Sequence, residues 1–221
     1  MSLGSPAAKS AIKALVEGWS SAIVRALAAR PLSLTDLNRL ISDLNYPSLE
    51  RRLAAMRLAG QIEAQPGKTR ATPYTVTDWM RRSVAPLAAA TRWERQHNPD
   101  QSKPITRMDI ESAFLLAVPL AKLPAGATGS CRLAVEIRNT GRDPDLAGVQ
   151  VNIESGQVVS CLARLEGPTD ASISGTASSW ITTVTQADVD GLDVAGEPNL
   201  GWGLLVALRE AHFRTRSRTR A

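Results

Sequence analysis

The side chains best suited to covalent chemistry are few and scattered. Cys131 and Cys161 form no CxxC and no metal-ligand spacing, so they read as small buried hydrophobes rather than as a disulfide or a nucleophile. His97 and His212 have no Ser or Cys partner in a nucleophile motif, and neither HExxH nor a Walker sequence occurs. "GWG" at 201–203 is a lone GxG without a strand-to-helix fingerprint, and Asp188 and Asp190 sit in a turn where solvated charge explains them. The pattern assembles no catalytic site, predicts no metal or cofactor, and leads us to expect a protein that is not an enzyme.

The arginines tell more. In "LNYPSLERRLAAMRLAGQIEAQ", Leu44 to Gln65, Asn45 is placed to cap a helix and Pro47 falls just inside its start, where a missing N–H costs nothing. Leu49, Leu53 and Met56 form one stripe for docking, while Ser48, Arg51, Arg52, Ala55 and Ala59 share another face. That second face offers two guanidinium groups early and only small residues later. A helix entering the major groove of DNA needs such a face, with long donors for phosphates and guanine edges and nothing bulky to hold the axis out.

The neighbouring elements are those that would position such a helix. Upstream, "AAKSAIKALVEG", "WSSAIVRALAARP" and "SLTDLNRLISDL" carry helical spacing, ended in turn by Gly18, by Pro31 and by the next cap. Downstream, Gly60 stops the helix, "QIEAQ" and "YTVT" alternate as strands, and "PGKTRATP" between them makes a basic turn tipped with Lys68, Thr69 and Arg70. Helix, turn, helix and basic hairpin is the order of a winged helix-turn-helix. The expected DNA contacts are Asn45, Ser48, Arg51, Arg52, Lys68, Thr69 and Arg70. The helix "DWMRRSVAPLAAATRWERQH" presents Met80, Val84, Leu87 and Thr91 along one side, for pairing with a second copy or for packing on its own domain.

Charge supports a division of labour. Residues 1–100 hold 14 Lys+Arg against 8 Asp+Glu, residues 101–213 hold 8 against 13, and "RTRSRTRA" closes the chain at a total of +5. Only the first half is suited to a polyanion, and the basic tail would add sequence-independent affinity or form a disordered end. Hydrophobic residues make up 43% of the chain, enough to fold. "MSLGSPAAKS" has no signal-peptide core, and the longest apolar run, "AFLLAVPLA", is too short to span a bilayer. A soluble, cytoplasmic protein without a membrane partner is expected.

The second half changes period. "RQHNPDQSKP" reads as a linker, "TRMDIESAFLLAVPLAK" as a helix, and "CRLAVEIRN", "GVQVNIES" and "QVVSCLARL" as strands, the last two joined in a tight hairpin at Ser155-Gly156. "TDASISG" and "GLDVAG" add strands, and "TASSWITTVTQ" and "EPNLGWGLLVALREAHF" add helices. The fold class expected is mixed: an α-rich winged helix-turn-helix, then an α+β domain with a mostly antiparallel sheet covered by helices. The boundaries expected are a DNA-binding and dimerisation domain over 1–97, a linker over 98–106, a ligand domain over 107–213 and a tail over 214–221.

Two resemblances rest on these residues. "IKALVEGWSSAIVRALA", "LTDLNRLISDLNYPSLERRLAAMRLAGQIEA" and "TPYTVTDWMRRSVAPLAAATRWE", about residues 10–97, resemble the HxlR branch of the MarR-like winged-helix regulators, with Trp19, Ser48 to Leu53 and Tyr74 to Thr77 on its motifs. The chain departs from that family in lacking its N-terminal Cys, which excludes thiol sensing there, and its Gly after the wing strand. The resemblance implies a homodimer on double-stranded DNA, paired through flanking helices; Ile12, Val84, Leu87 and Thr91 are the candidate contacts. Residues 107–213 resemble the sterol-carrier-protein type of domain through Glu154-Ser155-Gly156 and Leu192 to Pro198. This implies an apolar small molecule between sheet and helices, with Phe114, Leu115, Val118, Val151, Ile153, Trp180, Ile181, Trp202 and Leu205 as candidate lining. The same side chains would equally serve a closed core. The expected function is a ligand-responsive bacterial transcriptional regulator. The alternative is a binding protein that sequesters an apolar metabolite or antibiotic and uses its winged domain to dimerise.

Overall fold

A computed structural model describes residues 14–15, 18–41, 43–65, 72–99, 104–137, 145–186 and 188–213 of the 221. The chain divides into two compact units, Met1–Ser83 and Val84–Ala221. The mixed class holds: helices with a two-stranded sheet in the first unit, and helices with a five-stranded, mostly antiparallel sheet in the second.

In the first unit, α1 (Gly18–Ala29) buries Ile23, Val24, Leu27 and Ala28, the 3–4 spacing of one helix face. The chain then turns into α2 (Leu34–Leu40), which opens with a complete capping box: Ser33 Oγ accepts from the Asp36 amide, and the Asp36 carboxylate accepts from the Ser33 amide at 3.2 Å. α3 (Tyr46–Leu58) starts on Asn45, whose Oδ1 accepts from Ser48 N at 3.0 Å, and has proline in its first turn. Gly60, at φ +68°, supplies the left-handed residue that turns the chain out of the helix.

β1 (Ile62–Ala64) and β2 (Tyr74–Val76) then pair antiparallel, Ile62 opposite Val76. Leu32 adds a third rung, exchanging both backbone bonds with Tyr74 at 3.1 and 2.8 Å. The hairpin is therefore tied, through Tyr74 at the turn-side end of β2, to the segment between α1 and α2.

One predicted helix is broken. The periodicity predicts a continuous helix from Asp78, whereas the chain forms α4 (Asp78–Arg81) and α5 (Val84–His97) with a turn between. Pro86 lacks the N–H that a continuous helix would bond to Arg82, and its ring would crowd that carbonyl. Thr77 starts α4, its Oγ1 accepting from Met80 N at 3.2 Å and donating to Gly60 O at 2.7 Å. α5 belongs with the second unit and packs on α7 there.

The second unit continues with α6 (Arg107–Ala117), capped by a Thr106–Asp109 capping box. The helix predicted to run on through Lys122 tightens at Pro119 into a single 3₁₀ turn, Val118–Leu120. β3 (Gly129–Ile137), β4 (Asp145–Glu154), β5 (Gln157–Leu162), β6 (Ala171–Thr176) and β7 (Leu192–Gly196) follow, in the sheet order β5-β4-β3-β6-β7. Only the β3–β6 pair is parallel, Cys131 opposite Ala171. The predicted tight hairpin forms at Ser155 (φ 49°) and Gly156 (φ 76°), the two positive φ values that such a turn requires.

α7 (Ala177–Gln186) and α8 (Pro198–Phe213) complete the unit. Leu133, Val135, Val149, Val151, Ile153 and Ile173 are buried, and they recur at every second position as a one-sided core demands. α8 lies on this face: a Cβ on Gly201 would meet Val194 at 2.8 Å, Ile173 at 3.8 Å and Ala171 at 4.0 Å. The other face is crossed by the β5–β6 connection, held where Arg132 donates to Gly167 O and Gln150 Nε2 donates to Pro168 O at 3.4 Å. Asp170 ends that crossing, its Oδ2 accepting from Ser130 N at 2.7 Å and from Ser130 Oγ at 2.8 Å.

Candidate nucleic-acid interface

The best-defined surface with a chemistry of its own is α3. Leu49, Leu53 and Met56 are buried and anchor the helix, each worth roughly 1.5–3 kcal/mol when fully removed from water. With that stripe inward, Arg51, Arg52, Ala54, Ala55 and Leu58 stand in solvent. The two arginines differ in how they are held. Arg52 Nη1 donates to Ser20 Oγ of α1 at 2.9 Å, which fixes its guanidinium on the flank of α3 that faces α1. Arg51 folds along its own helix, donating to Pro47 O at 3.4 Å and to Ser48 Oγ at 3.3 Å. Those bonds are long and exposed, so a stronger acceptor would displace them.

Arg57 lies over the Tyr74 ring, 6.0 Å from its centroid, and so links α3 to the hairpin. Asn45 is committed to its cap and Ser48 to the first turn, so both position the helix. Lys68, Thr69 and Arg70, at the predicted tip of the wing, lie outside the described residues, as do Ile12 and the tail 214–221.

Of the side expected to be exposed, Met80 is instead fully buried, because α4 ends before the line can continue, while Val84, Leu87 and Thr91 are half-buried on α5, a helix with no fully buried residue. On the same helix the exposed Trp93 ring stacks on His97 at 4.6 Å.

The candidate ligand residues separate into two groups. Leu115, Val118, Val151, Ile153, Trp180 and Leu205 are buried among the core of the second unit. Phe114 and Ile181 are half-buried and Trp202 is 38% exposed. Phe114 meets Trp180 edge to face at 5.0 Å, and Trp180 Nε1 donates to Ala134 O at 2.8 Å. A separate cleft of about 420 Å³ is lined by charged side chains, with Arg107 bonded to Asp145 at 2.5 Å and 3.8 Å from Glu111, and Arg164 and Glu166 also on its wall. None of the nine candidate residues lines it. Sequence reasoning missed this cleft, because its walls come from three segments with no shared motif.

Cys131 and Cys161 are both buried, and burial pushes the Cys131 thiol up to about 12. Val151 pairs with both, so the two cysteines stand two strands apart, roughly 9–10 Å and beyond disulfide reach. Among the described residues no group of three His, Cys, Asp or Glu side chains is placed to hold a metal. No helix among them is long and apolar enough to cross a membrane.

No protein-family profile matches the chain, and no curated protein matches it significantly. Among solved structures, the chain is similar to the reduced form of the transcriptional regulator YodB of B. subtilis, at 20% identity and a TM-score of 0.36, over 43% of this chain and 96% of that one. It is also similar to a conserved hypothetical protein of Thermus thermophilus, described as possibly a sterol carrier protein, at 16% identity and a TM-score of 0.32, over 43% of this chain and 85% of that one. Both similarities are weak, and at these scores neither fixes the fold or the function.

Proposed function

We propose that this chain is a transcriptional regulator that reads operator DNA through α3 as a homodimer, answers to an apolar small molecule held by its second unit, and performs no covalent chemistry. The observation that carries this reading is the outward side of α3. Two arginines stand early on a capped, firmly anchored helix, and small alanines follow them. Long donors can then reach phosphates or guanine edges while the helix axis approaches the groove closely.

The surrounding charge agrees with a polyanionic partner: residues 1–83 carry twelve Lys+Arg and six Asp+Glu. A second copy would bring a second α3 to a half-site about one DNA turn away. An apolar effector would meet the second unit at Phe114, Ile181 and Trp202, the members of the candidate set that keep solvent contact. Coupling between such sites is typically worth about 1–3 kcal/mol.

The test is binding of the full chain to DNA from its own upstream region, followed by anisotropy at several salt concentrations, beside Arg51→Ala/Arg52→Ala. The expected result is affinity above that for random DNA, falling steeply with salt. In the double variant the salt slope should fall by about one per lost phosphate contact. Equal binding by parent and variant would overturn the reading.

A further inference from the structure

Leu58 is 91% exposed, the highest value among the large apolar side chains of the described residues. It is also in register with the arginine of the site. Arg51, Ala54, Ala55 and Leu58 recur at i, i+3, i+4 and i+7, which places all four on one side of α3. All four are exposed, on the side opposite the buried Leu49, Leu53 and Met56. The stripe shares Arg51 and Ala55 with the face that the sequence pattern singles out, and adds Ala54 and Leu58 on the side away from Arg52 and Ala59. The outermost line of the helix thus begins with a guanidinium and continues as methyl and isobutyl groups.

Both flanks of the stripe are charged. Arg52, held by Ser20, lies on one. Glu50, the one carboxylate of the helix, and Arg57, drawn to the Tyr74 ring, lie on the other. A polyanionic backbone meets no carboxylate of α3 along the Arg52 flank, and the line between the flanks faces what that backbone encloses.

Resting on the reading of α3 as a groove-reading helix, we infer that the Arg51–Ala54–Ala55–Leu58 stripe sets base specificity by apolar contact with thymine methyl groups, with Arg51 on a neighbouring guanine. In the major groove the C5 methyl of thymine is the one apolar feature of a base pair, and alanine and other apolar side chains are its usual partners. Guanine, with O6 and N7 both accepting, is the usual partner of arginine. Arg51 and Leu58 are seven residues apart, about 10.5 Å along the axis, or about three base steps for a helix lying along the groove. The half-site should then carry a guanine and, about three steps from it, one or two thymines. Leu58 would otherwise face water with no gain.

The probe is a duplex selected from a random library by the full chain, compared with the same duplex in which deoxyuridine replaces thymidine. Uracil keeps every hydrogen bond of thymine and lacks only the methyl. The parent should bind the deoxyuridine duplex about fourfold more weakly per contacted methyl, the worth of one buried methyl group. Leu58→Ala should bind the thymidine duplex about fourfold more weakly and show a smaller difference between the two duplexes. The side chain is solvated, so its removal leaves the core of the unit intact.

If the parent binds both duplexes equally while Arg51→Ala/Arg52→Ala fails, thymine reading is overturned and the DNA reading stands. If the double variant binds as the parent does, α3 is not the reading helix and both are overturned. If Leu58→Ala keeps the full deoxyuridine effect but alters the sedimenting mass, Leu58 serves self-association, and its assignment to thymine is overturned.

Discussion

Arg52 Nη1 donates to Ser20 Oγ at 2.9 Å, and this bond joins α1 to α3, through residues 32 apart in sequence, at the flank of the proposed reading surface. The tether restricts a long side chain that would otherwise sample many rotamers, so part of the ordering cost of a phosphate contact is met before DNA arrives. Ser20→Ala removes the tether and leaves the guanidinium charge in place. DNA affinity should fall by about threefold, the worth of one modest hydrogen bond, with an unchanged salt slope and unchanged thermal stability. Loss of affinity accompanied by a smaller salt slope would mean that Arg52 no longer reaches its phosphate once the tether is gone. Titrations at four salt concentrations separate the two.

Trp180 fixes α7 to the sheet through its ring and its one polar atom. Its indole N–H donates to the Ala134 carbonyl at 2.8 Å in a buried setting, and Phe114 meets its ring edge to face. Trp180→Phe keeps an aromatic ring and deletes the donor, removing this bond from a carbonyl in the middle of β3. The second unit should lose about 0.5–1.5 kcal/mol in urea unfolding. Specific binding of DNA by the first unit should persist under native conditions. An unaltered unfolding midpoint would show that the carbonyl finds another donor.

The Asp170 carboxylate is held below the ordinary carboxylate range by the Ser130 amide and the Ser130 hydroxyl, in that order. A carboxyl with a lowered native pKa stabilises the fold while ionised in both states, and this contribution is lost as pH falls through the lowered value. Asp170→Asn should therefore differ from the parent in stability at neutral pH and converge with it on acidification below the normal carboxylate range. Thermal unfolding from neutral to strongly acidic pH measures this. Parallel curves at every pH would assign the acid sensitivity to other carboxylates.

The elements that could be read from the chain are those with a local cause. The buried stripes of α1 and α3, the Asn45 cap, and the hairpin at Ser155-Gly156 each follow from a few adjacent residues, and all form. Even the break before α5 had its signal in Pro86, outweighed in reading by the periodicity around it. What was hidden depends on partners far along the chain. The pattern that set Leu49, Leu53 and Met56 inward on α3 also left Arg51, Arg52, Ala55 and Ala59 outward, and all four are exposed; the place of Leu58 on that side was not drawn from it. The crossing of the sheet by the β5–β6 connection hangs on Arg132 and Gln150 reaching backbone carbonyls 35 and 18 residues away, and no local motif announces such bonds. For the candidate ligand residues, apolarity alone could not separate the buried Val118 and Ile153 from the partly exposed Phe114 and Trp202.

The parallel junction of β3 with β6 bears on the order in which the second unit assembles. β3, β4 and β5 follow one another as antiparallel neighbours, so their pairing closes short loops and can begin early. β6 must instead return across the sheet to lie beside β3, bringing Ala171 to Cys131 only after the intervening meander exists to be crossed. α7, β7 and α8 are all threaded after that return, and α8 closes over residues that β6 and β7 deliver. Pairing of β6 thus closes a larger loop than the antiparallel pairs that precede it, and a nascent chain that stalls before it would display the bare inner edge of β3, a template for pairing with its own kind.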